Sequence, residues 1–162
     1  MEKIERVSKR NYYLDIAETV LERATCLRRV YGAIIVKNDE IISTGYNGAP
    51  RGRSNCVDLG YCTREAMQVP HGERYELCRS VHAEANAIIS AARRDMVGST
   101  LYLVGRDAQT GELLGDATSC AMCRRMIINA GINEVVIRRT KEDYEIVPVW
   151  KWVEEDDSLP KE

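Results

Sequence analysis

His82-Ala83-Glu84-Ala85-Asn86-Ala87-Ile88-Ile89 is the stretch on which the fold turns. Ala85, Ile88, Ile89 and Ala92 share one side of a helix, so the spacing predicts a helix from His82 to Arg94. A second helix is predicted from Cys120 to Ala130. Ser119 is suited to cap its start, and Gly131 is suited to end it in the left-handed conformation. Each helix follows an irregular segment and leads into a β-branched or aliphatic run. The first leads to Leu101-Tyr102-Leu103-Val104 and the second to Glu134-Val135-Val136-Ile137. Helices alternating with such strands give a layered α/β domain.

Upstream, Leu14, Ala17, Val20, Leu21 and Ala24 fall at helical spacing and predict a helix over residues 10–26. Gly32-Ala33-Ile34-Ile35-Val36 reads as a strand, Asn38-Asp39 as a turn, and Ile41 to Tyr46 as the strand returning in an antiparallel hairpin. Residues 47–80 have no clear period and hold three cysteines, Pro50 and Pro70. A loop of that length must be functional or pinned. Residues 105–119 read as a polar loop, and Glu145-Ile146-Val147 as a fifth strand. The reading is therefore one domain over residues 1–150 and an acidic, flexible tail over residues 151–162.

The chain has 162 residues, a size that suits one domain, and 44% apolar residues, enough for a core. It contains no apolar run long enough to cross a membrane, and Met1-Glu2-Lys3-Ile4-Glu5-Arg6 carries no secretory pattern. These features predict a cytoplasmic protein with no membrane partner. A formal net charge of −2 predicts no nucleic-acid partner, because a tight grip on a long phosphate backbone needs a basic face. One or two arginines suffice for a small nucleotide. In a reducing compartment the six cysteines are metal ligands or buried thiols rather than disulfides.

Only two histidines exist, His71 and His82, so any zinc centre must be rich in cysteine. Cys120 and Cys123 are three apart, on one face of the first turn of a helix, where the dipole favours thiolate. With His82 they make three zinc ligands and leave a fourth tetrahedral position for water, the pattern of a catalytic rather than a structural zinc. Glu84 is a carboxylate two residues from His82 and is free to move protons. The competing reading makes these residues plain core or a four-ligand structural site. A carboxylate beside an open site is of no use to such a module. His-x-Glu followed by Cys-x-x-Cys is the signature of zinc base deaminases, in which the glutamate is general acid and base.

These residues resemble the cytidine and deoxycytidylate deaminase superfamily, and within it the deoxycytidylate (dCMP) deaminases. The resemblance also rests on Thr25-Cys26-Leu27-Arg28, Gly32-Ala33, Ser43 to Pro50 with its Gly45-Tyr46-Asn47-Gly48, Cys78 to Ile88, and Cys120 to Ile132. It covers roughly residues 10–140. It implies a three-layer αβα fold with a central, mixed sheet of about five strands. It also implies hydrolysis of dCMP to dUMP with release of ammonia, and a homo-oligomer. The alternatives are another cytosine, guanine or adenine substrate, or an inactive zinc-binding module. By position, the resemblance puts Asn47 and Asn86 in the substrate pocket and Arg28 near the phosphate. Asn47 followed by Gly48 is equally a turn signal. Three departures stand out. Ser119 replaces a proline, the 105–119 loop is long, and Tyr31 replaces a small apolar residue.

The resemblance further implies a second, structural zinc held by Cys26, Cys56 and Cys78, with Cys62 or else His71 as fourth ligand. Such a metal would pin the irregular segment. The other reading of these four cysteines is uncoordinated buried thiol.

Overall fold

The computed structural model describes every residue except Asp157, Lys161 and Glu162, which belong to the stretch read as a tail and lie outside the described residues. Five strands form one sheet in the order β2-β1-β3-β4-β5. They are β1 (Arg29–Lys37), β2 (Glu40–Tyr46), β3 (Thr100–Asp107), β4 (Glu134–Arg138) and β5 (Tyr144–Pro148). β1 runs antiparallel to β2 and β3, β3 parallel to β4, and β4 antiparallel to β5, so the sheet is mixed. The expected hairpin is β1 and β2, and Asn38 and Asp39 both take positive φ (51° and 61°) at its turn.

The three central strands are covered on both faces, which is why they read as unbroken apolar runs rather than as alternation. Ala33, Ile35, Leu101, Leu103, Val135 and Ile137 face one core. Ile34, Val36, Tyr102, Val104 and Val136 face the other. The second core is closed by α1 (Lys9–Leu21) through Tyr13, Leu14, Ala17 and Leu21. The first is closed by α4 (Ala83–Ile89), α5 (Arg93–Met96), α6 (Ala121–Ala130) and α7 (Val149–Glu154). The layers are thus αβα, as expected.

Two glycines allow the close packing. A Cβ on Gly32 would run into the Ala17 carbonyl of α1, and one on Gly45 into the Ala83 carbonyl and Ala87 nitrogen of α4. Gly45 therefore sets how near α4 lies to β2. Arg138, on β4, is buried and bonds Asp15 at 2.8 Å and the Asn11 carbonyl at 3.3 Å, tying β4 to α1.

Several boundaries differ from the sequence expectation. The first helix ends at Leu21, not at 26, because the following residues brace the irregular segment. There the Thr25 amide donates to the Asn47 carbonyl and its hydroxyl to Asn55. The helix expected over 82–94 breaks after Ile89, and the chain turns into α5, which brings Met96 into the core. The irregular segment holds two short helices, α2 (Cys56–Leu59) and α3 (Thr63–Ala66), and a 3₁₀ turn at Tyr75–Leu77. The polar loop begins later than expected, since residues 105–107 complete β3. It then folds back, the Leu114 amide donating to Gly105 and Arg139 holding the carbonyls of Gly115 and Ala117. Residues 151–154, read as tail, form the end of α7, where Trp152 packs on the core and under Arg124.

Candidate active site

Two helix starts meet on one side of the sheet. His82 is the N-cap of α4 and Cys120 the N-cap of α6, so both side chains leave extended backbone just ahead of a first turn. Cys123 follows one turn into α6 and is buried. Ser119, expected to cap α6, is one residue too early. It makes no capping bond, and its hydroxyl is buried beside Glu84.

His82 Nδ1 lies 3.5 Å from Cys120 Sγ and 3.4 Å from Cys123 Sγ. For a tetrahedral zinc with ordinary bond lengths, the edge between nitrogen and sulfur is about 3.6 Å. The donor set and its spacing therefore fit zinc. Among the described residues, this trio is the group of potential ligands whose donor atoms all lie within 4.8 Å of one another.

The charges in the trio are interlocked. Hydrogen bonding from Cys123, and then from His82, holds the Cys120 thiol well below its usual range, at about 4. The bond to Cys120 pushes Cys123 upward, and burial adds to this. Hydrogen bonds to Cys120 and Cys78 raise His82 to about 10. One thiolate facing an imidazolium is an electrostatic arrangement that a dication can replace.

Glu84, in the first turn of α4, is 4% exposed. Burial pushes its carboxyl up, while its own backbone bond and His82 oppose that. A desolvated carboxyl beside a cation site is suited to take and return a proton.

His82, Glu84 and Cys120 line a cavity of about 110 Å³, walled also by Cys26, Arg28, Asn47, Cys56, Cys62 and Cys78. Arg28 is in the wall with its guanidinium committed, to Glu65 at 2.9 Å and His71 Nδ1 at 2.9 Å. Asn47 is buried and spends its amide on β1, accepting from the Tyr31 amide and donating to the Arg29 carbonyl. Asn86 is not brought to this cavity. It lines a cleft beside Gly45 and Pro50 and donates to the Tyr46 carbonyl at 2.8 Å.

The four remaining cysteines are neighbours, since burial and then Cys26, Cys78 and Cys62 raise the Cys56 thiol. Their sulfurs do not draw together as those of the trio do.

Sequence reasoning missed Arg29, Tyr31, Arg64, Tyr75 and Arg79 in the same wall. Tyr75 sets its edge on His82, with ring centroids 5.3 Å apart, and Arg64 lies over Tyr75 at 4.5 Å. Arg64 and Tyr75 come from the irregular segment, where no periodicity marks them. Tyr31 alone carried a signal, its departure from the usual small residue.

Residues 7–139 match the family described as the cytidine and deoxycytidylate deaminase zinc-binding region. A deoxycytidylate deaminase of Mycobacterium phage D29 is 35% identical over 130 residues, covering 77% of this chain and 90% of that one. The deoxycytidylate deaminase of Schizosaccharomyces pombe is 34% identical over 131 residues, covering 81% of this chain. The chain spans only 37% of that longer relative. A dCMP deaminase from the cyanophage S-TIM5, solved in complex with dCMP and dUMP, superposes with a TM-score of 0.56 at 26% identity. The match covers 83% of this chain and 84% of that one.

Proposed function

Because the chain belongs to the cytidine and deoxycytidylate deaminase family, we propose that it hydrolyses dCMP to dUMP and ammonia. The observation that carries this reading is the buried Glu84 carboxyl, set two residues from His82 in the cavity that His82 and Cys120 also line, beside the His82, Cys120 and Cys123 trio. The phage D29 relative, similar over nearly its whole length, supports the substrate. So does the S-TIM5 enzyme, which is solved with both dCMP and dUMP.

His82, Cys120 and Cys123 would hold the zinc. When bound there, the ion supplies Lewis acidity, able to bring a water's pKa from 15.7 to about 7. Glu84 takes the proton of the water that adds to the amine-bearing carbon. It delivers that proton to the ring nitrogen and then carries one to the departing amine, which leaves as ammonia. One water is consumed, one C–N bond breaks and one carbonyl forms. Burial of Glu84 keeps bulk water from the carboxyl and so raises its proton affinity.

We also propose a second, structural zinc on Cys26, Cys56, Cys62 and Cys78. It is supported by the mutual proximity that raises Cys56, and it requires the four sulfurs to draw closer than they stand. His71 is less suited as a ligand, since its Nδ1 is engaged by Arg28. An assembly of several copies is supported by the exposed Ile89, Trp150 and Val153. The cytoplasm, where thiol ligands stay reduced, is the compartment we assign.

The test is a substrate panel of dCMP, CMP, deoxycytidine, cytidine, cytosine, guanine and transfer RNA, read by ammonia release. Turnover highest on dCMP is expected. Turnover of another member with none on dCMP overturns the substrate assignment.

A further inference from the structure

The two cysteines of the metal trio are held in different ways. Cys123 sits within α6, whose helical backbone places it. Cys120 is the N-cap, with extended backbone (φ −69°, ψ 167°) and no side-chain capping bond. Its thiol is therefore aimed by the chain that enters the helix, residues 115–119. Ser119 leaves its own φ free, where a proline would fix it.

Two arginines grip that stretch. Arg124 is four residues past Cys120, and helical side chains lean back toward the N-terminus. Its amide donates to the Cys120 carbonyl at 2.9 Å and its Nε to the Ser119 carbonyl at 2.9 Å. One residue thus holds the peptide groups on both sides of the ligand. Its guanidinium also lies over the Trp152 ring of α7, 5.0 Å from the centroid. Arg139 stands just past β4. Its Nη1 donates to the carbonyls of Gly115 at 3.1 Å and Ala117 at 2.5 Å. Its Nε and Nη2 both donate to Glu145 of β5, which fixes the plane of the guanidinium. The carbonyls held by the two guanidiniums belong to alternate residues, 115, 117 and 119. Ala117 and Ser119 are each 1% exposed, so water is a poor substitute for either donor.

We propose that Arg139 and Arg124 are positioning residues for the metal: they fix the backbone that enters α6 and so aim the Cys120 thiolate at the point shared with His82 and Cys123. The inference rests on the zinc reading above. With both arginines in place, Cys120 Sγ stands 3.5 Å from His82 Nδ1. A tilt of the peptide between Ser119 and Cys120 swings that sulfur away and leaves Cys123 where it is. Zinc bond lengths tolerate an error of only about 0.2 Å, so a small tilt is felt. The planar fork of Arg139 bridges a carboxylate and two carbonyls at once, which a lysine cannot do. One zinc ligand is in this way tied to the β4–β5 edge of the sheet.

The experiment measures zinc affinity of the full chain by competition with a chromogenic chelator. Cobalt(II) loading gives a second readout, since its visible bands report the geometry of a thiolate site. Cys123→Ser identifies the share of each signal that belongs to the trio, and thermal midpoints establish folding. In Arg139→Met, zinc affinity at the trio falls on the order of 10–100-fold, and the cobalt bands shift and weaken. Arg124→Met behaves alike, and Arg139→Lys recovers little. Glu145→Ala, which only loosens the anchor of Arg139, weakens zinc roughly 3-fold and serves as the test where Arg139→Met does not fold. Tyr13→Phe, in the core on the other face of the sheet, is the control for lost stability and leaves affinity and bands unchanged. Unchanged affinity and bands in a folded Arg139→Met, or in Glu145→Ala in its place, overturn the inference. Equal weakening in Tyr13→Phe also overturns it, because stability alone would then account for the loss. If the unaltered chain takes up neither metal at the trio, the zinc reading itself falls and this assignment falls with it.

Discussion

At the residue scale, His82, Glu84, Cys120 and Cys123 were legible because their chemistry needs only short spacings and a helix start, and both are written locally. Arg64 and Tyr75 were not legible. What makes them part of the site is a ring edge and a stacked guanidinium, both set by folding of the irregular segment. Asn86 shows the converse, a residue marked by resemblance that the fold spends on bracing Tyr46. If Glu84 carries the proton, Glu84→Gln lowers kcat by about 10²–10⁴-fold with zinc content unchanged. Turnover alongside metal analysis checks this, and undiminished kcat would remove Glu84 from the mechanism. A second residue-scale expectation concerns Tyr13, whose hydroxyl donates to Asp39. The bond pushes Tyr13 up to about 12 from the ordinary 10. A raised folded-state pKa means that this stabilisation is complete below pH 10 and fades as pH rises from about 10 to about 12. Tyr13→Phe should thus melt lower than the unaltered protein at pH 8 and converge with it by pH 12. A constant gap across that range would contradict the assignment.

At the element scale, the strands could be read because burial on both faces leaves continuous apolar runs, and their two parities sort cleanly into two cores. Helix ends could not. α1 stops at Leu21, and α4 breaks at Ile89, because tertiary partners use the backbone beyond those points: Asn47 and Asn55 in the first case and the seat of Met96 in the second. The contact of greatest consequence is α4 on β2, because α4 carries both His82 and Glu84. Gly45→Ala forces α4 away from β2. It should destabilise the fold by about 1–3 kcal/mol and cut kcat at least roughly ten-fold through displacement of Glu84. Thermal unfolding and turnover measured on the same sample test this. Lost stability with intact kcat would mean that α4 repacks without moving the carboxyl.

At the scale of the whole molecule, a layered α/β domain followed from alternation of helix and strand and its three αβα layers from the resemblance, but the strand order β2-β1-β3-β4-β5 did not. Order depends on which edges meet after the crossovers, and no local pattern encodes that. The same long-range closure brings α4 and α6, whose key residues are 38 positions apart, to one metal-sized gap. It also gathers four cysteines around the irregular segment. If those four hold a structural zinc, loaded protein contains two zinc ions per chain, and Cys56→Ser contains one and melts lower. One zinc per chain, with Cys56→Ser as stable as the parent, would make them ordinary buried thiols. The account's central claim, a zinc-dependent dCMP deaminase, is tested most directly by ammonia release from dCMP by the purified chain as isolated, after metal removal, and after zinc is restored. The account predicts release that disappears with the metal and returns with zinc. Release that persists unchanged in the stripped protein, or none from the zinc-loaded protein, would contradict it.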